Sequence, residues 1–136
     1  MSPAYDEHAS QLLRDSGLTG RVERRLHDIA VDPASVLPAD VVVLHRVVCC
    51  YPDYERLLSA AASHARRLLV FSYPRYGAIS RVLLAIQNCG LRLLRREFRV
   101  FTRPPAVMLA VLAEHGLRPS YAHHGSIWQI SGLQRS

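Results

Sequence analysis

The spacing of apolar residues changes several times along this chain, and each change marks a new element. Ala9, Leu12 and Leu13 form one stripe of a helix that Ser2-Pro3 opens and Gly17 stops. Ser caps such a helix, Pro fits its first turn, and Asp6 and Glu7 suit the positive end of its dipole. No strand precedes it. Arg21 to Ile29 is expected as a strand, with Val22 and Leu26 as its apolar positions and Asp28 at its end. A loop runs from Asp32-Pro33 to Pro38. Val41 to Leu44 is a continuous, largely β-branched run, the pattern of a strand buried on both faces of a parallel sheet.

Tyr54, Leu57, Leu58, Ala61 and Ala65 then mark one side of a helix, and Leu68 to Phe71 a second buried strand. Ile79, Val82, Leu83, Ile86, Gly90 and Leu93 give an amphipathic helix over Ala78 to Arg96. Thr102, Pro104 and Pro105 introduce another through Met108, Val111 and Leu112, stopped by Gly116. Tyr121 to His123 and Ile127 to Ile130 are the arms of a hairpin, with His124-Gly125-Ser126 as its turn. Alternation followed by a hairpin predicts an α/β fold, its sheet mainly parallel with one antiparallel strand. The strands at 41–44 and 68–71 should lie side by side in parallel, and the last hairpin strand antiparallel to its neighbour.

Composition narrows this little. At 136 residues and 49% hydrophobic, one domain with a real core is expected over residues 1–136. Net charge is +6, carried by Arg alone, since the chain has no Lys. These Arg residues are scattered, apart from Arg24-Arg25, Arg66-Arg67 and the stretch from Arg92 to Arg99. Nucleic-acid binding is therefore not the expectation. Cys49, Cys50 and Cys89 are odd in number and two are adjacent, which is no disulfide framework. No apolar run reaches the ~18 residues of a membrane span, and no signal segment opens the chain. A reduced, cytoplasmic setting is expected.

The run Asp40-Val41-Val42-Val43-Leu44-His45-Arg46-Val47-Val48-Cys49-Cys50-Tyr51-Pro52-Asp53 resembles the fourth strand and active-site loop of S-adenosylmethionine methyltransferases similar to the magnesium-protoporphyrin O-methyltransferases. Leu69-Val70-Phe71-Ser72-Tyr73-Pro74-Arg75 is similar to their fifth strand. Phe101-Thr102-Arg103-Pro104-Pro105 and Trp128-Gln129-Ile130 resemble the start of their last helix and their final strand. Leu26-His27-Asp28-Ile29 resembles the third strand, where the family places an acid near the cofactor adenine. The resemblance covers nearly the whole chain. It implies a partial Rossmann-like sheet, mostly parallel with a C-terminal antiparallel hairpin, lacking the first two strands. The glycine-rich loop after the first strand and the ribose-binding acid after the second have no counterpart in this sequence.

The resemblance implies S-adenosylmethionine as cofactor and a small-molecule substrate. Asp28 and Ile29 would meet the adenine, and His45 and Arg46 would form the floor of the cofactor site. His45, just beyond a buried strand, is where α/β ligands sit and is a candidate base; its alternative is a polar residue closing the strand. Asp28 has the alternative of a strand-end acid. Tyr51, Tyr73 and Arg75 follow strand ends and are candidate substrate-pocket residues, or loop packing. No metal is expected: Cys49 and Cys50 are adjacent, without the spacing of a zinc site. The helix over 78–96 is a candidate cap over the substrate, a membrane-surface helix, or plain structure.

With the first strand missing, the 41–44 strand should have a bare edge, open to self-association or a partner chain. The chain is thus expected to be a methyltransferase, weak or inactive as given. The alternatives are a non-catalytic subunit completed by another chain and, less favoured, an Arg-rich nucleic-acid binder.

Overall fold

The apolar run Leu68 to Phe71 lies in an inner strand of the sheet, and Val41 to Leu44 pairs with it from the edge. A computed structural model describes residues 3–75, 77–93 and 103–136. The expected cap at Ser2, the extension of the third helix to Arg96, and Phe101-Thr102 lie outside them. The elements are α1 (Pro3–Asp15), a 3-10 turn (Pro33–Ser35), β1 (Ala39–Leu44), α2 (Tyr54–His64), β2 (Ala65–Pro74), α3 (Ala78–Leu93), α4 (Pro105–Glu114), β3 (Leu117–His124) and β4 (Trp128–Arg135).

The four strands form one sheet in the order β1-β2-β4-β3. β1 and β2 are parallel, with Val41 opposite Leu68 and Leu44 opposite Phe71, which is the expected pairing. β4 runs antiparallel to β2 and to β3, as expected of the hairpin. One of the three described pairings is therefore parallel, and the architecture is α/β. Pro119, which cannot donate to a ladder, lies on the outer strand β3. The hairpin turn requires Gly125, because a Cβ there would lie 2.6 Å from the Trp128 carbonyl oxygen. α4 stops at Gly116, whose φ of 76° is left-handed.

Partners across a strand pair share a face, so the register shows how the layers form. Leu44, Leu69, Phe71 and Leu133 lie on the buried face, and α2 and α4 pack there through Leu57, Leu58, Met108 and Leu112. Asp53 caps α2, accepting from the Arg56 amide at 3.1 Å. His64 ends α2 and clasps the preceding loop. It faces Ala60 O through Nδ1 at 2.7 Å, and Pro33 O and Val36 O through Nε2 at 2.8 and 2.9 Å. Arg135 binds both helix ends to β4, donating to Ala62 O, Ala65 O and His115 O at 2.6, 3.0 and 3.0 Å.

Two expectations are corrected. Residues 21–29 form no strand; they run as turn and irregular chain, and Leu26 is 78% exposed. A strand exists only beside a hydrogen-bonded neighbour, and among the described residues none flanks this segment. Val41 to Leu44 is a strand but is not buried on both faces. Leu44 is buried, whereas Val41 and Val43 are 50% and 62% exposed. They point away from α2, and β1 is an edge strand of the described sheet, open on the side away from β2.

The cysteines are free. Cys49 is buried beside Cys50, their sulfurs 3.4 Å apart. Burial, then the contact with Cys50, pushes its thiol from 9.0 up to about 12. Its protonated form is therefore favoured by folding. The stability it contributes should be whole below about pH 9 and decline as pH rises from there toward 12. In alkylation of the native protein at neutral pH, followed by mass spectrometry, exposed Cys89 should react first and Cys49 only on unfolding. Equal rates for the two would refute this.

Candidate cofactor site at the carboxyl end of the first strand

Two clusters gather where β1 ends. In the first, Asp28 is fixed by its own turn. Its Oδ1 accepts the Ala30 amide at 3.0 Å, and its carbonyl accepts the amides of Val31 and Asp32, each at 3.1 Å. Next to it, His27 Nε2 lies 2.6 Å from Ser35 Oγ and 2.7 Å from Asp32 O, tying this turn to the 3-10 turn. The Asp28 carboxylate opens on an exposed cavity of about 410 Å³ lined by Ile29, Leu44, Val47, Tyr51 and Leu57, with Leu26 and His27. Tyr51 enters from the loop after β1, and its hydroxyl donates to both Asp28 oxygens at 3.0 Å. Burial, then this contact, raises the phenol above its ordinary value of 10.0.

The second cluster forms around buried Ser72 of β2. Leu44 pairs with Phe71, so the next residue pair brings His45 beside Ser72. Ser72 Oγ accepts the Arg46 amide at 2.8 Å and lies 3.3 Å from His45 Nδ1. Arg46 has φ of 55°, a left-handed conformation uncommon for a residue with a Cβ. That turn lays its guanidinium over the Trp128 ring, 4.7 Å from the centroid, and aims its amide at Ser72.

The structure thus brings Asp28 and Ile29 together in one cavity, whereas His45 and Arg46 turn to Ser72 and Trp128 in the second cluster. Tyr51 belongs with Asp28. Tyr73 lies elsewhere: it is buried, 3.2 Å from Ser131 Oγ, in a second cavity of about 450 Å³ between α4 and the hairpin. Arg75 is exposed, and its amide donates to Ile127 O at 2.9 Å. Tyr51, Tyr73 and Arg75 do not converge. Ser72 and Trp128 were not singled out from the sequence as site residues. The signal for Ser72 was the strand alignment, which sets His45 against it; Trp128 had none. Among the described residues no group of three or more His, Cys, Asp or Glu is placed to hold a metal.

This fold is that of part of a methyltransferase. Magnesium protoporphyrin IX methyltransferase of Synechocystis PCC 6803, with bound S-adenosylhomocysteine, superposes with a TM-score of 0.75 at 19% identity, over 96% of this chain and 59% of that one. An O-methyltransferase family protein of Burkholderia thailandensis gives 0.77 at 18% identity, over 98% and 42%. The O-methyltransferase family 2 protein of Planctomyces limnophilus, in complex with apigenin, gives 0.72 at 20% identity, over 98% and 41%. The chain therefore spans about two fifths to three fifths of their length. Neither a family model nor a curated protein matches the sequence. Among the described residues no helix is long and apolar enough to cross a membrane.

Proposed function

We propose that the chain is the adenine-binding side of an S-adenosylmethionine-dependent methyltransferase acting on a small molecule. The observation that carries this is the Asp28 cavity at the carboxyl end of β1, in a fold whose similar structures include ones with bound S-adenosylmethionine and S-adenosylhomocysteine. The residues present fit one end of that cofactor. A fixed carboxylate suits the adenine amino group, and Ile29, Leu44 and Val47 supply apolar walls for a flat ring. His45 and Arg46 would floor the site. When bound, the cofactor would supply an electrophilic methyl group for an oxygen, nitrogen or carbon nucleophile.

What the chain must do is align the nucleophile and, where it carries a proton, receive that proton. In this reading His45, 3.3 Å from Ser72 Oγ, would receive it. The substrate would approach from the carboxyl ends of β1 and β2. Asp28→Ala should weaken binding of S-adenosylhomocysteine by about 1–3 kcal/mol, the range for a hydrogen bond to a charged group, and Asp32→Ala much less. Equal losses by titration would return Asp28 to a purely structural role.

A second reading is favoured by one observation, the open edge of β1 with exposed Val41 and Val43. In it the chain is a subunit whose sheet another polypeptide completes. Co-purification with a chain bearing a strand and glycine loop would support it, and a monodisperse monomer that binds cofactor unaided would exclude it.

A further inference from the structure

The Asp28 cavity already contains a donor of its own. The Tyr51 O–H lies 3.0 Å from each carboxylate oxygen of Asp28, so it sits between them. That position faces the lone pairs of both oxygens, where an incoming N–H would bind best. Oδ1 also accepts the Ala30 amide. What remains for a ligand is the outer side of Oδ2. Asp28 does not depend on Tyr51 for its placement, because the Ala30 amide and the 28–32 turn hold it. Tyr51, by contrast, comes from the loop between β1 and α2, and both side chains line the same cavity.

We propose that Tyr51 is a latch on Asp28: its phenol and the amino group of an adenine ligand compete for one carboxylate, and binding requires the phenol to let go. The inference rests on the adenine-binding reading above. It makes Tyr51 a residue that lowers the site's preference for an amino-bearing ligand, since such a ligand has to displace it. A ligand with an amino group replaces the hydrogen bond it breaks, whereas a ligand without one does not, and leaves the latch closed.

The test uses the 136-residue chain and its Tyr51→Phe variant, titrated at millimolar concentrations by NMR with adenosine, S-adenosylhomocysteine and purine riboside, which lacks the amino group. Adenosine and S-adenosylhomocysteine should bind the variant about three- to tenfold more tightly, a modest gain because the contact is partly solvated. Purine riboside should bind both proteins alike. Weaker or unchanged binding of the amino ligands, or an equal gain for all three, overturns the latch and leaves the adenine reading standing. No binding of any adenosine compound to either protein overturns that reading, and the competition with it. A separate arm needs no ligand: the Tyr51 ring carbon is followed through its titration in the native chain and in Asp28→Asn. The phenol should titrate lower in Asp28→Asn, and an unchanged titration means the latch does not exist in solution.

Discussion

Titrated with S-adenosylhomocysteine, residues 1–136 are expected to bind in the millimolar range, about a thousandfold more weakly than a micromolar site, with no measurable methyl transfer. The Asp28 cavity touches a ligand mainly at its adenine. On the side of β1 away from β2, the described residues place no second strand end to hold the ribose or the sulfonium. Each charged or backbone contact of that kind contributes roughly 1–3 kcal/mol, so two or three account for about 4 kcal/mol. Joining a strand, a glycine turn, a helix and an acidic strand end ahead of residue 1 should recover the affinity. Micromolar binding by the monomer, measured by calorimetry, would show that these residues build a cofactor site by another route.

The largest stability effect is expected at Phe71. It is fully buried on β2, between β1 and β4, with its ring 5.3 Å from that of Tyr73. Phe71→Ala should cost about 3–5 kcal/mol, combining lost transfer energy and a cavity that the surrounding strands cannot close. For a chain of this size that lowers Tm by roughly 10–20 °C. Leu26→Ala is the contrast, since its side chain stands in solvent; its effect should stay within about 0.5 kcal/mol. Both are read by denaturant or thermal unfolding. Similar losses at the two positions would mean that 21–29 is packed in solution as a strand would be.

That pair of substitutions also shows what the sequence conveyed. Short-range signals carried well. Gly116 after an apolar helical stripe and Gly125 between two short β runs each specify local backbone, and the end of α4 and the hairpin turn stand where they put them. The 41–44 and 68–71 runs lie side by side in parallel, as expected. Residues 21–29 failed for the opposite reason, because a strand is a property of a pair. Val41 and Val43 misled because a β-branched run records what a strand tolerates on both faces, while among the described residues α2 and α4 cover one of them.

The site divides in the same way. Asp28, Ile29, His45 and Arg46 were candidates through the resemblance; Asp28 and Ile29 line one cavity although the strand expected to carry them is absent among the described residues. The contact of Tyr51 with Asp28 spans 23 residues and that of Ser72 with His45 spans 27, and neither leaves a local mark. Arg46 would have needed its left-handed turn to be known before its stacking on Trp128 could be foreseen.

The strand order has a consequence during synthesis. β4 lies between β2 and β3, yet it is made after both. While the ribosome is still completing residues 128–135, β3 has no partner, the inner edge of β2 is open, and the Arg135 side chain that ties α2 to α4 is not yet available. Helices and the β1–β2 pair can form early, but the sheet closes from its middle, last. A nascent chain paused before Trp128 therefore presents the unpaired backbone N–H and C=O groups of the inner β2 edge, a state open to pairing with another chain.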